Sequence, residues 1–405
     1  MARTFAIVGA GQAGGWIAKT LRDQGFDGRI VLYGEEPYPP HERPPLSKDL
    51  LLGKIPVEKT YLWPDATNTV LNIESRRGVR VTRIRPAEHT IESSDGDTLK
   101  YDRLALATGA RVRKLNIPGA DLARVFYLRT IDDTLAIRKE LTNGAHVLVI
   151  GGGWIGLECA AAARLLGARA TVLEALGQLC NRALPADLAG YVLKRHRDAD
   201  VDVRLNTTVQ RLEGDGQVQR AVLSDGATLD VDLVVIGIGV VPNVELAADA
   251  GLKTDNGIVV DELTRTSDPD IFAAGDCTNH PTALGRRIRL ESWENAQNQG
   301  IACAKAMLDK GAPYHEIPWF WSDQGDMNLQ LVGLPALDAT GVRRGDEASG
   351  QFIVFYMKDG KIDGAAAVNN GRDVRIVRRL MQAGKIVDPA KLADPAVKLQ
   401  DLLKG

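Results

Sequence analysis

Gly9-Ala-Gly11-Gln-Ala-Gly14 and Gly151-Gly-Gly153-Trp-Ile-Gly156 are the two stretches on which the fold turns. Each follows an apolar run, Phe5-Ala-Ile-Val8 and His146-Val-Leu-Val-Ile150, that reads as a buried strand. Behind each comes a helical stretch (13–24 and 154–166) and a second apolar strand (30–33 and 169–173), then an acid, Glu35 and Glu174. A GxGxxG string alone is a weak signal, since any Gly-rich turn can carry it. Strand, glycines, helix, strand and acid, in that order and twice, is the pattern of two βαβ dinucleotide folds.

The residue types match the chemistry. Gly9 and Gly151 permit the tight turn, Gly11 and Gly153 let the backbone approach a pyrophosphate, and Gly14 and Gly156 allow close helix–strand packing. The helix N-terminus supplies N–H groups and a positive dipole end to the phosphates. Glu35 follows the last glycine by about 20 residues, where a carboxylate accepts from ribose hydroxyls. Glu174 repeats that position and would repel a 2′-phosphate, which favours NADH over NADPH, although Arg182 lies close by in sequence. Two such sites on one chain indicate an enzyme that holds a flavin and a nicotinamide together.

Composition limits the remaining classes. The 405 residues suffice for two or three domains with proper cores. With 50 basic against 52 acidic residues, nothing draws the chain to nucleic acid. No apolar run is long enough for a bilayer span, and the first strand begins too early for a signal peptide, so a cytoplasmic protein is expected. Cys159, Cys180, Cys277 and Cys303 are scattered, without a CxxC pair or ligand spacing, and the six histidines are dispersed, so no metal site is expected.

Further segments read as contacts to the first nucleotide. Leu104-Ala-Leu-Ala-Thr-Gly109 is a strand ending at Thr108 and Gly109, and Asp270-Ile-Phe-Ala-Ala-Gly-Asp-Cys277 is a strand and small-residue turn carrying Asp276. A helix is expected after Asp276 and another near Asn295; a plain strand-end loop whose Asp caps a helix is the simpler alternative. In His41-Glu-Arg-Pro-Pro-Leu-Ser-Lys48, Ser47 is expected to cap a helix with Lys48 in its first turn, where a cation is unfavourable.

The first fingerprint, Arg43-Pro-Pro-Leu-Ser-Lys48, Ala107-Thr-Gly109, the second fingerprint, Ala273-Ala-Gly-Asp276 and Pro318-Trp-Phe-Trp-Ser-Asp-Gln324 together resemble the ferredoxin reductases of bacterial oxygenase systems. These are FAD-containing NADH oxidoreductases of the glutathione-reductase fold. The resemblance runs from about residue 4 to near residue 380, and the RPPLSK and PWFWSDQ strings are its most specific parts. It implies an α/β chain with two Rossmann-like dinucleotide-binding domains, for FAD and NAD, plus a C-terminal α/β interface domain. The expected boundaries are 1–111 and 249–318 for a split FAD domain, 112–248 for the NADH domain and 319–405 for the interface domain.

Residue by residue, the resemblance implies that Ala13 contacts the FAD pyrophosphate and Glu35 the adenosine ribose. Val81 and Arg129 would contact adenine, and Asp276 the ribityl–pyrophosphate portion. Lys48 would lie beside the flavin, paired with Glu158 of the second fingerprint helix, as the pair that tunes and positions the ring. Trp293 stands where the family often has a smaller apolar residue near the isoalloxazine, and Trp321 would lie by the ring or anchor the C-terminal domain. On the NADH side, Ile155, Glu174, Arg182 and the loop at Gly237 match family positions, with Glu291 near the nicotinamide.

The route of the electrons follows from what is missing. Relatives that reduce disulfides carry a reactive cysteine pair after the loop near residue 40, whereas this chain has no cysteine before Cys159. A thiol relay is therefore not expected; the resemblance implies that electrons from NADH, passed as a hydride to FAD, leave singly to a [2Fe–2S] ferredoxin serving a Rieske dioxygenase or a cytochrome P450. A rubredoxin reductase or NADH oxidase of the same fold, or an NADH-sensing flavoprotein that switches partner binding, stays open at this stage. The basic runs Arg286-Arg-Ile-Arg289 and Arg372-Asp-Val-Arg-Ile-Val-Arg-Arg379 read equally as docking surface or as solvated charge.

Overall fold

A computed structural model describes residues 3–282, 286–336, 339 and 341–404. They fall into two compact units. One comprises Met1–Pro44, Pro56–Arg111 and Val240–Glu316; the other comprises Pro45–Ile55, Val112–Gly239 and Ile317–Gly405.

The first unit is built on a five-stranded parallel sheet in the order Ile271–Ala273, Arg103–Leu106, Thr4–Val8, Arg29–Gly34, Ile73–Arg77. Its central strand shows why a continuous apolar run forms here. Phe5 and Ile7 enter one core with Ile17, Leu21 and Phe26, while Ala6 and Val8 enter the core on the opposite face with Val31, Tyr33 and Leu104. A strand covered on both faces has no polar side to display. The first fingerprint helix, Gln12–Asp23, packs against the helix Trp293–Ala306. The expectation of a helix directly after Asp276 is corrected: Thr278–Pro281 is a strand. Thr278 and Asn279 pair in parallel with Ile258 and Val259, and Pro281 closes the segment, so extended backbone is the better solution there.

The second unit contains another five-stranded parallel sheet, in the order Val201–Arg204, Arg169–Leu173, His146–Ile150, Leu233–Ile236, Val125–Tyr127. The second fingerprint helix, Trp154–Leu165, follows its central strand. A third sheet is antiparallel, in the order Trp319–Gln324, Met327–Gly333, Lys361–Val368, Gln351–Lys358, Gly341–Asp346. The helix Gly371–Gln382 covers it through Val374, Val377 and Leu380. The fold is thus α/β, with two Rossmann-like folds and a C-terminal α/β region.

One local expectation around residue 47 is also corrected. Pro44–Ser47 is a single 3-10 turn, and no α-helix begins at Ser47. The adjacent prolines favour the tight turn, the buried leucines Leu46, Leu50 and Leu51 pin it, and the Ser47 hydroxyl has a partner other than a helix N-terminus.

Candidate functional site

Each fingerprint helix starts from a glycine with no side-chain cap, Gly11 and Gly153, leaving its first N–H groups for a ligand. At Gly9 the backbone has φ +109° and an added Cβ would meet the Ala107 carbonyl oxygen at 2.1 Å; at Gly14 it would meet the Gly9 carbonyl oxygen at 1.8 Å. Gly151 (φ +112°) and Gly156 repeat this against the carbonyl oxygens of Gly237, at 2.4 Å, and Gly151, at 2.1 Å. A Cβ on Gly11 or Gly153, by contrast, would meet nothing within 4 Å. The outer glycines are therefore demanded by the fold, and the space beside the middle ones is open, which fits a close approach by a pyrophosphate.

Around the first fingerprint, Ala13 lies with its Cβ 3.0 Å from the position of a Cβ on Gly275, so it abuts the turn that carries the half-buried Asp276. The amide of Gln12 and the Nε2 of Gln299 are buried without a hydrogen-bond partner, and Gln299 Oε1 accepts from Gly275 N at 2.8 Å. Buried amide groups left unmatched at the mouth of a phosphate loop fit a bound dinucleotide. Thr108 and Gly109 are tied to Asn243: its carbonyl accepts from the Thr108 hydroxyl at 2.7 Å, and its N–H donates to the Gly109 carbonyl at 3.0 Å. Val81 begins a strand, buried in the same core as Tyr33.

Three further side chains of this unit have partners that the sequence did not reveal. Glu35 is paired with Arg80, both largely exposed. Glu291 is held by Arg289. Trp293 opens the helix Trp293–Ala306 and its indole N–H donates to Glu42 at 3.2 Å, where burial pushes the Glu42 carboxyl above its ordinary range.

In the second unit Glu174 accepts from the Gly152 N–H at 2.8 Å and the Leu176 N–H at 2.9 Å, which fixes its carboxylate at the glycine loop. Ile155 is an exposed apolar residue in the first turn of the fingerprint helix. Gly237 N donates to Ile150 O at 2.8 Å, and Arg182 lies over the next turn, with its guanidinium 3.2 Å from the position of a Cβ on Gly239. Arg129 precedes the helix Ile131–Glu140 and its N–H donates to Asp133 at 2.9 Å. Trp321 stacks on Trp319 at 5.1 Å. The open glycine loop with the Glu174 carboxylate fixed beside it fits a nicotinamide dinucleotide.

Lys48 and Glu158 are brought together: Lys48 Nζ donates to Glu158 Oε2 at 2.8 Å, with Glu158 only 2% exposed. The Ser47 hydroxyl donates to the same oxygen, and the Ser322 hydroxyl donates to Oε1 at 2.5 Å. Ser47 is expected from sequence only as a helix cap, and Ser322, Gln324 and His196 are not singled out there as site residues. The available signal was the alternation in Trp319–Gln324, where Ser322 and Gln324 are polar yet share the inward face with Phe320.

The cysteines take no part. All four are free and buried, and burial pushes the thiols of Cys159 and Cys303 up to about 12 and raises those of Cys180 and Cys277. Thiols so far from ionisation are inert at neutral pH.

The pyridine nucleotide-disulphide oxidoreductase family matches residues 3–300, and a reductase C-terminal domain matches residues 319–403. The ferredoxin–NAD(+) reductase component of the anthranilate 1,2-dioxygenase system from Burkholderia cepacia is 44% identical over 98% of this chain and 99% of its own. Putidaredoxin reductase, solved in covalent complex with putidaredoxin, superposes with a TM-score of 0.96 at 36% identity, over 99% of this chain and 98% of its own. The ferredoxin reductase of the CYP199A2 system from Rhodopseudomonas palustris gives 0.95 at 39% identity, over 98% and 99%. Two glycine-framed nucleotide loops, a Lys48–Glu158 pair with a buried carboxylate and these full-length matches lead to one conclusion: the chain belongs to the pyridine nucleotide-disulphide oxidoreductases and, within them, to the FAD- and NAD-dependent ferredoxin reductases of oxygenase systems.

Proposed function

We propose that this protein oxidises NADH and passes the electrons singly to a [2Fe–2S] ferredoxin, which serves a Rieske dioxygenase or a cytochrome P450. The observation that carries the reading is the pairing of two dinucleotide loops with four buried, unreactive cysteines, which leaves no thiol relay. FAD, when bound, accepts two electrons together and releases them one at a time, which is the conversion this pairing requires.

In this reading Gly9, Gly11, Ala13, Gly14, Thr108, Gly109 and Asp276 hold the FAD pyrophosphate and ribityl chain, with Glu35, Val81 and Arg129 toward the adenosine. Gly151, Gly153, Ile155, Gly156, Glu174, Arg182 and Gly237 hold NADH, with Glu291 toward the nicotinamide. Lys48, held by Glu158, would set the charge beside the ring, and Trp293 and Trp321 are also assigned to the flavin in this reading. No side chain has to act as general acid or base. The division of labour is a split FAD domain (1–111 and 249–318), an NADH domain (112–248) and an interface domain (319–405).

Among the described residues no helix is long and apolar enough to cross a membrane. We place the protein in the cytoplasm, where NADH and reduced thiols are available.

The test is NADH-driven cytochrome c reduction with a [2Fe–2S] ferredoxin, with rubredoxin as the control carrier. A rate strongly dependent on the ferredoxin supports the proposal. A rate stimulated by rubredoxin alone assigns the protein to the other carrier, and unstimulated oxygen consumption makes it an oxidase.

A further inference from the structure

Glu158 sits at the end of a buried hydrogen-bond chain that runs away from Lys48. The strand Trp319–Gln324 turns Phe320, Ser322 and Gln324 to one face. Two residues of strand advance about 6.8 Å and four residues of helix about 6 Å, so alternate strand positions match an i, i+4 pair. Phe320 accordingly meets Trp154, with ring centroids 4.9 Å apart, and Ser322 meets Glu158 one turn on. Gln324 reaches the next helix, Ala186–Asp198: its Nε2 donates to Ser322 Oγ at 3.0 Å, and its Oε1 lies 2.7 Å from His196 Nε2. Ser322, Gln324 and His196 are at most 3% exposed.

The chain can run in only one direction. Glu158 accepts at both oxygens, from Lys48 and Ser47 at one and from Ser322 at the other, which is the pattern of an ionised carboxylate. Ser322 has a single proton and gives it to Glu158, so its oxygen must accept from Gln324. The Gln324 amide nitrogen therefore faces Ser322 and its carbonyl faces His196. A carbonyl cannot donate, so His196 Nε2 must carry the proton. Burial also lowers the pKa of His196, which keeps the ring neutral and leaves Nδ1 without a proton.

We propose that Ser322, Gln324 and His196 are positioning residues of the reductive half-reaction: their one-way hydrogen-bond chain holds the Glu158 carboxylate in the orientation that places Lys48. The inference rests on the reading of Lys48 as the cation beside the flavin. It assigns to the Ser-Asp-Gln end of the PWFWSDQ string a task separate from that of its tryptophans. A buried carboxylate with a donor fixed on each oxygen is held in one orientation, which fixes the position of the acceptor that Lys48 binds.

Two measurements on the FAD-loaded protein test this. The first is the nitrogen-15 NMR spectrum of the histidine-labelled wild type, in which His196 is expected as one neutral tautomer with its proton on Nε2. A proton on Nδ1, or a mixture of tautomers, overturns the proposal. The second is anaerobic stopped-flow reduction by NADH of wild type, Ser322→Ala and Ser322→Thr. Ser322→Ala is expected to lower the limiting reduction rate about tenfold while NADH affinity changes less than about threefold, and Ser322→Thr, which keeps the hydroxyl, to recover most of the rate. A wild-type rate in Ser322→Ala, or an equal deficit in both variants, overturns the proposal. Wild-type protein that NADH does not reduce rejects the proposed function instead. The tautomer is read on the wild type, so it decides the question even where Ser322→Ala fails to fold.

Discussion

Lys48 Nζ and Glu158 Oε2 lie 2.8 Å apart although 110 positions separate them in the chain. The lysine comes from the segment after a 3-10 turn and the glutamate from the second fingerprint helix, so the pair joins the RPPLSK motif to the nucleotide fold. Removing one partner of a buried pair leaves the other charge uncompensated. Lys48→Met is expected to slow flavin reduction by NADH by at least about tenfold, with NADH affinity much less affected. Unchanged reduction kinetics in a stopped-flow trace would remove Lys48 from the mechanism.

The glycines divide into two classes with opposite outcomes. Gly14→Ala forces a methyl group against the Gly9 carbonyl and is expected to abolish soluble, folded protein. Gly11→Val projects into empty space, so the fold is expected to survive while flavin is lost. Thermal unfolding and the visible spectrum of each purified variant separate the cases. A yellow, flavin-loaded Gly11→Val protein contradicts the placement of the pyrophosphate.

Glu174 is pinned at the glycine loop by the Gly152 and Leu176 N–H groups, and in the proposed binding mode it faces the ribose that carries a 2′-phosphate in NADPH. Glu174→Ala is expected to narrow the preference for NADH over NADPH by about tenfold in kcat/KM. Steady-state kinetics with both nucleotides check it; an unchanged ratio means that other groups set the specificity.

Much of this was legible in the two fingerprints because strand, glycine and helix positions have local causes. The parallel strands alternate between two cores, and the glycines obey contacts within a few residues or with the adjacent strand. The strand after Asp276 was misread as a helix because its partner, Ile258–Val259, lies earlier in the chain and only pairing reveals it. Ser47 looked like a helix cap because serine before a leucine-rich run usually is one; its true partner, Glu158, is 111 residues away. Arg80 and Glu42, which engage Glu35 and Trp293, are 45 and 251 positions from their partners and leave no mark in local spacing.

Acid stability should report on His280. It is 5% exposed, its Nδ1 has no hydrogen-bond partner, and burial, helped by nearby Arg287, lowers its pKa from 6.5 to about 4. The unfolded chain therefore takes up the proton first as pH falls. The contribution is complete above the ordinary histidine value and is lost as pH falls from 6.5 toward 4. His280→Phe, which keeps a ring against Tyr314, is expected to gain about 2 kcal/mol on wild type between about pH 7.5 and about pH 5. Urea unfolding at the two pH values measures it, and a constant difference would show that His280 does not titrate there.

The most direct test of the central claim is an electron count. Under anaerobic conditions, a catalytic amount of the FAD-loaded protein is mixed with NADH and an excess of oxidised [2Fe–2S] ferredoxin, and both absorbances are followed. Electron balance predicts two ferredoxins reduced for each NADH consumed, at a rate unaffected by prior treatment with a thiol-alkylating reagent. NADH oxidation without ferredoxin reduction, or a rate abolished by alkylation, would contradict the account.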